Sequence, residues 1–336
     1  MSEKLNLKLF LISLLIAILL LIPYELYWRY VERWPAGYDS QNLDYWADWR
    51  GRVDDLGKDD VIIMGSSRGH FDINIHLWDS ITGTRPIMLA YAGSSPFHPL
   101  ADIVDNSEFD GLLVLSVAPG LFFTVKDSWG AGKGRDFVDH YYKRTYAQRF
   151  SHWIFQYIDP QFSYIQEDLS LRILIERLPF ENRDSVQNQA LWPPMVHMDQ
   201  YRNIRMLKGM ETDTVLQNRQ TAIWTPPVWK NRYKDSVDVI MDHYVGLIKK
   251  FKEKGGRIAL IRPPVTGGYL ENEPILFPRD KYWDRLLRAS NSPGYHFMDH
   301  EDTKNLIPPE WSHLNRKDAD LYTKTIIKLL REDELL

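Results

Sequence analysis

Five short apolar runs, set apart by stretches of helix length or more, constrain this chain more than any other feature. They read "VIIMG" at 61–65, "PIMLAY" at 86–91, "GLLVLSVA" at 111–118, "RIALIRP" at 257–263 and "YHFMDH" at 295–300. Runs that stay apolar at successive positions belong to strands covered on both faces, and strands alternating with helical stretches build parallel βαβ units. The expected fold class is α/β, a three-layer α/β/α sandwich around a parallel, flavodoxin-like sheet. In such a sheet the ligand crevice lies beyond the carboxyl ends of the strands. The first run exits there into Gly65-Ser66-Ser67-Arg68, which places two hydroxyls where chemistry is expected.

About 140 residues separate the third run from the fourth, far more than one crossover requires. "DSVDVIMDHYVGLIKKFKEKGG" carries apolar residues at helical spacing and ends in basic residues and Gly-Gly, so it reads as the crossover helix. The preceding stretch is rich in aromatics, Arg and Pro without strand runs, and is expected to be a mostly helical insertion over about 120–235. "SYIQEDLSLRILIERL" lies within it as one helix.

Residues 9–28, "LFLISLLIAILLLIPYELYW", are uncharged from Leu9 to Tyr24 and long enough to cross a bilayer core as a helix. Tyr24, Tyr27, Trp28, Tyr30 and Trp34 supply an interfacial aromatic belt. No small-residue cleavage site follows, since Ile22-Pro23-Tyr24-Glu25 is too bulky, so the segment reads as an anchor rather than a cleaved signal. The expected organisation is a tail at 1–8, a transmembrane anchor at 9–28, a linker at 29–58 with one helix near "SQNLDYWADWRGRV", and a domain at 59–336. Lys4 and Lys8 before the span balance Arg29 and Arg33 after it. The usual behaviour of a single N-terminal anchor then puts the domain outside the cytoplasm. A net charge of -4 offers no electrostatic case for nucleic acid, and the absence of cysteine excludes disulfides, thiolate nucleophiles and thiolate metal sites.

Near the C-terminus, "PPEWSHLNRKDADLYTKTIIKLLRE" places Glu310 and His313 on a loop ahead of an amphipathic helix that runs from about Asp318. A carboxylate held against Nδ1-H of a histidine leaves Nε2 free to take a proton from a serine, which is a poor nucleophile without such help. The competing structural reading is a helix cap, with Ser312 or Asn315 as the capping residue.

Together, Gly65-Ser66-Ser67 after the first strand and Glu310-x-x-His313 before the last helix resemble the SGNH (GDSL-like) hydrolase superfamily, over roughly residues 58–336. The resemblance implies that Ser67 is the nucleophile, His313 the base and Glu310 the acid. It also implies that the N–H groups of Ser67 and of Gly93 in "YAGSSP" are oxyanion donors. The family's acid is usually aspartate, with Asp299 and Asp302 as fallbacks here. The third block normally ends in an asparagine, where this chain has Ala118 in "LSVAPG"; Ser116 or a side chain of the insertion would have to substitute. The resemblance to membrane-anchored members implies an O-acyltransferase or esterase at a bacterial cytoplasmic membrane, facing the periplasm or exterior. It would act on a cell-envelope or secreted polysaccharide, with acyl groups delivered by a membrane-bound partner and no cofactor.

Arg68, Arg262 and Arg279 are candidates to bind an anionic or hydroxyl-rich substrate, with Tyr269, Tyr282 and Trp283 as stacking faces; equally, the arginines pair with carboxylates and the rings pack. "WGAGKGRD" lacks the Ser/Thr of a phosphate loop and reads as a flexible basic loop. His296 and His300, four apart on an expected strand, would sit about 13 Å from each other, too far to share one metal.

Overall fold

Two-residue alternation divides each central strand between two separate cores. The computed structural model describes residues 7–124, 129–176, 178, 192–224 and 237–336. Among these, seven strands form: β1 (Val61–Met64), β2 (Ile87–Met88), β3 (Leu112–Ser116), β4 (Val196–Met198), β5 (Ile204–Met206), β6 (Arg257–Arg262) and β7 (Gly294–His296). Ile62, Met64, Leu113, Leu115, Ile258 and Leu260 face one core, whereas Val61, Ile63, Leu112, Val114, Ala259 and Ile261 face the other. All twelve are buried, which is why the runs are apolar throughout.

Five strands lie in the order β2-β1-β3-β6-β7, every neighbouring pair parallel, with Ile63 opposite Met88 and Val114 and with Leu115 opposite Leu260. Helices Phe97–Asn106, Val237–Glu253 and Trp283–Ser290 pack on one face. Helices Ile75–Thr82 and Arg316–Glu332 pack on the other. This is an α/β fold with a covered parallel sheet. The chain leaves β1 toward β2 on one side and returns to β3 on the other, so the strand order reverses at the carboxyl ends of β1 and β3, where a crevice opens in folds of this kind.

Several expectations about the connections are corrected. Residues 29–58 are no free linker: helix Leu43–Gly51 buries Tyr45, Trp46, Ala47 and Arg50 in the domain. Trp46 Nε1 donates to Leu89 O at 3.0 Å, and Arg50 pairs with Asp102 at 2.5 Å with both side chains buried. "WGAGKGRD" opens helix Trp129–Lys143, whose Phe137 reaches the main core. The insertion also holds the antiparallel hairpin β4–β5, too short for its sequence to reveal. The last run is a strand only to His296 and turns into a 3-10 helix over Phe297–Asp299. Lys4 and, within the expected insertion, residues 125–128, 177, 179–191 and 225–235 lie outside the described residues.

At the N-terminus, helix Leu7–Leu26 continues as a π-helical turn through Val31, and its apolar side chains are exposed. It is long and apolar enough to cross a membrane, with a mean hydropathy of 2.5.

Candidate active site

Gly65 lets β1 turn sharply into the helix Ser67–Asp72. Its φ is 146°, and a Cβ there would lie 2.7 Å from Ser116 Cβ at the end of β3, so only glycine fits. The short helix that follows carries Ser67 at its first position, half-buried, at the reversal of strand order. Beyond β2 the chain runs beside this turn, with Tyr91 N–H donating to Gly65 O at 3.1 Å, and then reaches Gly93 at φ 71°. Among the described loop, turn and cap hydrogen bonds, none is donated by the N–H of Ser67 or of Gly93.

The Glu310–His313 loop docks on the same helix through successive contacts. Arg68 Nε donates to Ser312 Oγ at 3.2 Å, the Phe71 and His313 rings lie 4.2 Å apart, and Leu314 N–H donates to Asp72 Oδ1 at 2.9 Å. Phe71 follows Ser67 by one turn on the same helix face. The two ends of the sequence therefore meet at one place, over 240 residues apart in the chain.

Glu310 is fully buried and its carboxylate accepts three hydrogen bonds. Oε1 takes the His313 N–H at 2.6 Å and His313 Nδ1 at 2.9 Å; Oε2 takes the indole N–H of Trp224 at 2.7 Å. Facing a carboxylate, Nδ1 is the nitrogen that carries the hydrogen, so Nε2 presents its lone pair. Nε2 is buried without a hydrogen-bond partner, and no bond joins it to Ser67. In unliganded sites such bonds are often long and tighten only when substrate is bound. Asp299 is instead engaged by Arg279 through two bonds of 2.6 and 2.7 Å, and Asp302 is exposed.

The loop is held under local strain. Trp311 has φ 76°, a left-handed conformation that costs a bulky residue about 1–3 kcal/mol. Its N–H donates to Pro308 O, its carbonyl accepts Thr266 N–H at 3.0 Å, and its indole fills the space a side chain at Gly267 would need. Asn315 caps the last helix by accepting the Asp318 N–H at 3.0 Å, so the helix begins at Arg316 and capping does not use the Glu310–His313 pair.

Arg68 and Arg262 are both buried and converge on one residue that sequence reasoning did not single out, Glu273 in helix Gly267–Leu276. Arg68 Nη2 lies 2.8 Å from Glu273 Oε1, Arg262 Nη2 bonds Oε2, and Tyr269 lies under the Arg68 guanidinium at 4.5 Å. Burial pushes the Glu273 carboxyl up, but Arg262 and Arg68 outweigh it and hold the group below the usual carboxylate range. Burial brings Arg262 down to about 10, still charged at neutral pH. The alternative left open by the sequence is thus realised as carboxylate pairing. Tyr282 and Trp283 pack against Phe277 and His296 respectively.

Ser116 Oγ, at the carboxyl end of β3, is buried and has no hydrogen-bond partner among the described residues, 3.1 Å from where a side chain on Gly69 would begin. Asp72 and His70, also on this helix, are fully buried. Burial lifts the Asp72 carboxyl well above its ordinary range and, with Arg202 adjacent, depresses His70 well below its own. Trp224 and Glu273 had one sequence signal each. A carboxylate buried in a loop needs a second donor, and two arginines emerging beside each other at strand ends need a carboxylate. A scan against models of known protein families finds no match to this sequence, and a search of curated proteins finds none either.

Proposed function

We propose that the chain is a membrane-anchored serine O-acyltransferase of the SGNH type. Ser67 acts as nucleophile, His313 as base, Glu310 as acid, and the Ser67 and Gly93 N–H groups as oxyanion donors. The observation that carries this is the buried Glu310–His313 pair, its Nε2 unpartnered, packed on the helix that Ser67 opens. His313 takes the hydroxyl proton as Ser67 attacks an acyl carbonyl. The oxyanion collapses with departure of the donor's leaving group, which receives that proton. The acyl group then passes from Ser67 Oγ to a sugar hydroxyl of an envelope or secreted polysaccharide, or to water: His313 takes the acceptor's proton and returns it to Ser67 Oγ as the acyl-serine bond breaks. The anchor favours transfer, because it holds the domain where a membrane-embedded donor partner, outside the cytoplasm, would deliver acyl groups.

A fluorophosphonate probe tests the chemistry on the full chain in detergent. Covalent labelling lost in Ser67→Ala and in His313→Ala is expected, and no labelling of the intact protein would overturn the reading. Ala118, in place of an oxyanion side-chain donor, favours a second reading as a catalytically silent glycan-binding or docking scaffold, for which absence of labelling would be the signature. Incubation with an activated ester and a glycan separates transferase from esterase: free acid as the sole product identifies an esterase.

A further inference from the structure

Helix Tyr146–Phe155 is built inside out. Tyr146, Phe150 and Trp153 recur at i, i+4 and i+7, and Tyr157 extends the row by another turn, a spacing that normally marks the face turned to a core. Here the row faces solvent, at 90%, 62%, 61% and 66% exposure. The inward residue is His152, which packs on Tyr45 and pairs with Asp48 at 2.9 Å, so the helix is seated on the domain through a face other than the aromatic row. Phe150 and Trp153 stack on each other at 5.9 Å, giving a continuous apolar ridge rather than isolated rings.

What lies immediately beyond the ridge says what covers it. Gln161, four residues after Tyr157, accepts a hydrogen bond from Arg29 at 2.6 Å through its carbonyl. The N–H groups of Ser163 and Tyr164 donate to Glu25 at 2.9 and 3.1 Å, and Tyr24 donates to Leu169 O at 3.3 Å. Trp28, Trp34 and Leu169 seal the joint. The ridge is thereby bolted to the C-terminal end of the apolar helix Leu7–Leu26, the level at which that helix would leave a bilayer.

We propose that this ridge seats in the lipid interface of the membrane that the N-terminal helix crosses, so that the domain is docked on the bilayer rather than swinging from a tether. The chemistry suits that layer. Tyrosine and tryptophan place an apolar ring and a polar tip at headgroup depth. No acidic residue occurs from Thr145 to Ile158, and Arg149, exposed within the ridge, faces anionic headgroups. The proposal rests on the helix crossing the membrane and is independent of the catalytic reading.

The chain has no cysteine, so single spin labels can be placed without background. Leu19→Cys, Phe150→Cys, Trp153→Cys and Lys328→Cys in the full chain, reconstituted singly in phosphatidylcholine/phosphatidylglycerol nanodiscs, are compared by collision with oxygen and with a water-soluble nickel chelate. Labels at 150 and 153 are expected to lose chelate collisions relative to 328 and gain oxygen collisions, at a shallower depth than 19. Chelate access at 150 and 153 equal to that at 328, with 19 in lipid, overturns the proposal. Water access at 19 shows that the span itself fails and takes the proposal with it. Spin-spin broadening at 150 that appears only when two chains share a disc would name a second copy as the occupant and likewise overturn it.

Discussion

Replacing Glu273 by glutamine removes one negative charge while leaving the size and shape of the side chain almost unchanged. In the native chain that charge sits between two guanidiniums, with the Arg68, Arg262 and Glu273 residues only 3%, 5% and 6% exposed. Breaking a buried ion pair by removing one partner typically costs about 3–5 kcal/mol, because the remaining charge is left in a medium that cannot solvate it. Two arginines share this one carboxylate, so E273Q is expected at or above the upper end of that range, a large part of the ~5–15 kcal/mol that holds a typical domain folded. The assay is denaturant unfolding of the full chain in detergent at neutral pH, followed by near-ultraviolet circular dichroism. The acid limb supplies an internal check. Glu273 is held below the usual carboxylate range, so its contribution is fully present above the unfolded value of about 4.3 and is lost as pH falls through the native value. That segment of the pH dependence should vanish in E273Q. A companion variant carrying Arg68→Met, Arg262→Met and Glu273→Leu together should recover most of the loss, since an apolar replacement of a whole buried ion cluster is often neutral or stabilising. A loss below about 1 kcal/mol in E273Q would refute the reasoning, because it would mean that water reaches the cluster and screens it.

Trp224→Phe keeps the ring contacts but removes the indole donor to Glu310 Oε2. A bond to a charged group is worth about 1.5–3 kcal/mol of stability, so Tm should fall by several degrees and, on the proposed mechanism, fluorophosphonate labelling should slow; an unchanged Tm and labelling rate would remove Trp224 from the site. Asp72→Asn retains the acceptor for Leu314 N–H, and because burial already favours the uncharged carboxyl it should be neutral or stabilising. Asp72→Ala should cost about 1–3 kcal/mol and slow labelling at Ser67; equal stability of the two variants would contradict this. His70 is buried in its neutral form, so its contribution is fully present above about pH 6.5 and is lost as pH falls toward its depressed native value. Stability should decline there by up to about 1.4 kcal/mol per pH unit, and His70→Gln, which keeps a donor toward Arg202 O, should flatten that slope in an unfolding series from pH 7 to 4.5.

The parallel sheet was legible because burial on both faces demands apolar side chains at every position, and "VIIM" or "LLVLS" satisfies that demand without help from distant residues. The loop that carries Glu310 and His313 was legible for a similar reason, since both belong to one local segment. Other features depended on partners remote in the chain. "WGAGKGRD", without the Ser/Thr of a phosphate loop, reads as a flexible basic loop, yet it opens a helix in which Gly134 is a packing residue: a side chain there would meet Ser95 O at 2.6 Å, and its absence lets the helix lie close against that turn. Residues 29–58 looked like a linker because Trp46 and Arg50 are partnered by Leu89 O and Asp102, neither of which is near in sequence.

By itself the amino-acid sequence determined the fold class, the apolar N-terminal helix and the identity of the hydroxyl, imidazole and carboxylate that stand as candidates. These follow from hydrophobic period and from side-chain chemistry, both local properties. Only the tertiary structure decided that Glu310 is shared between His313 and Trp224, that Arg68 and Arg262 spend their charge on Glu273, and that the Tyr146–Tyr157 row faces outward beside the end of the N-terminal apolar helix. Each of those outcomes turns on which groups burial brings within about 3 Å of one another, and periodicity in a linear sequence carries no information about distances across a fold.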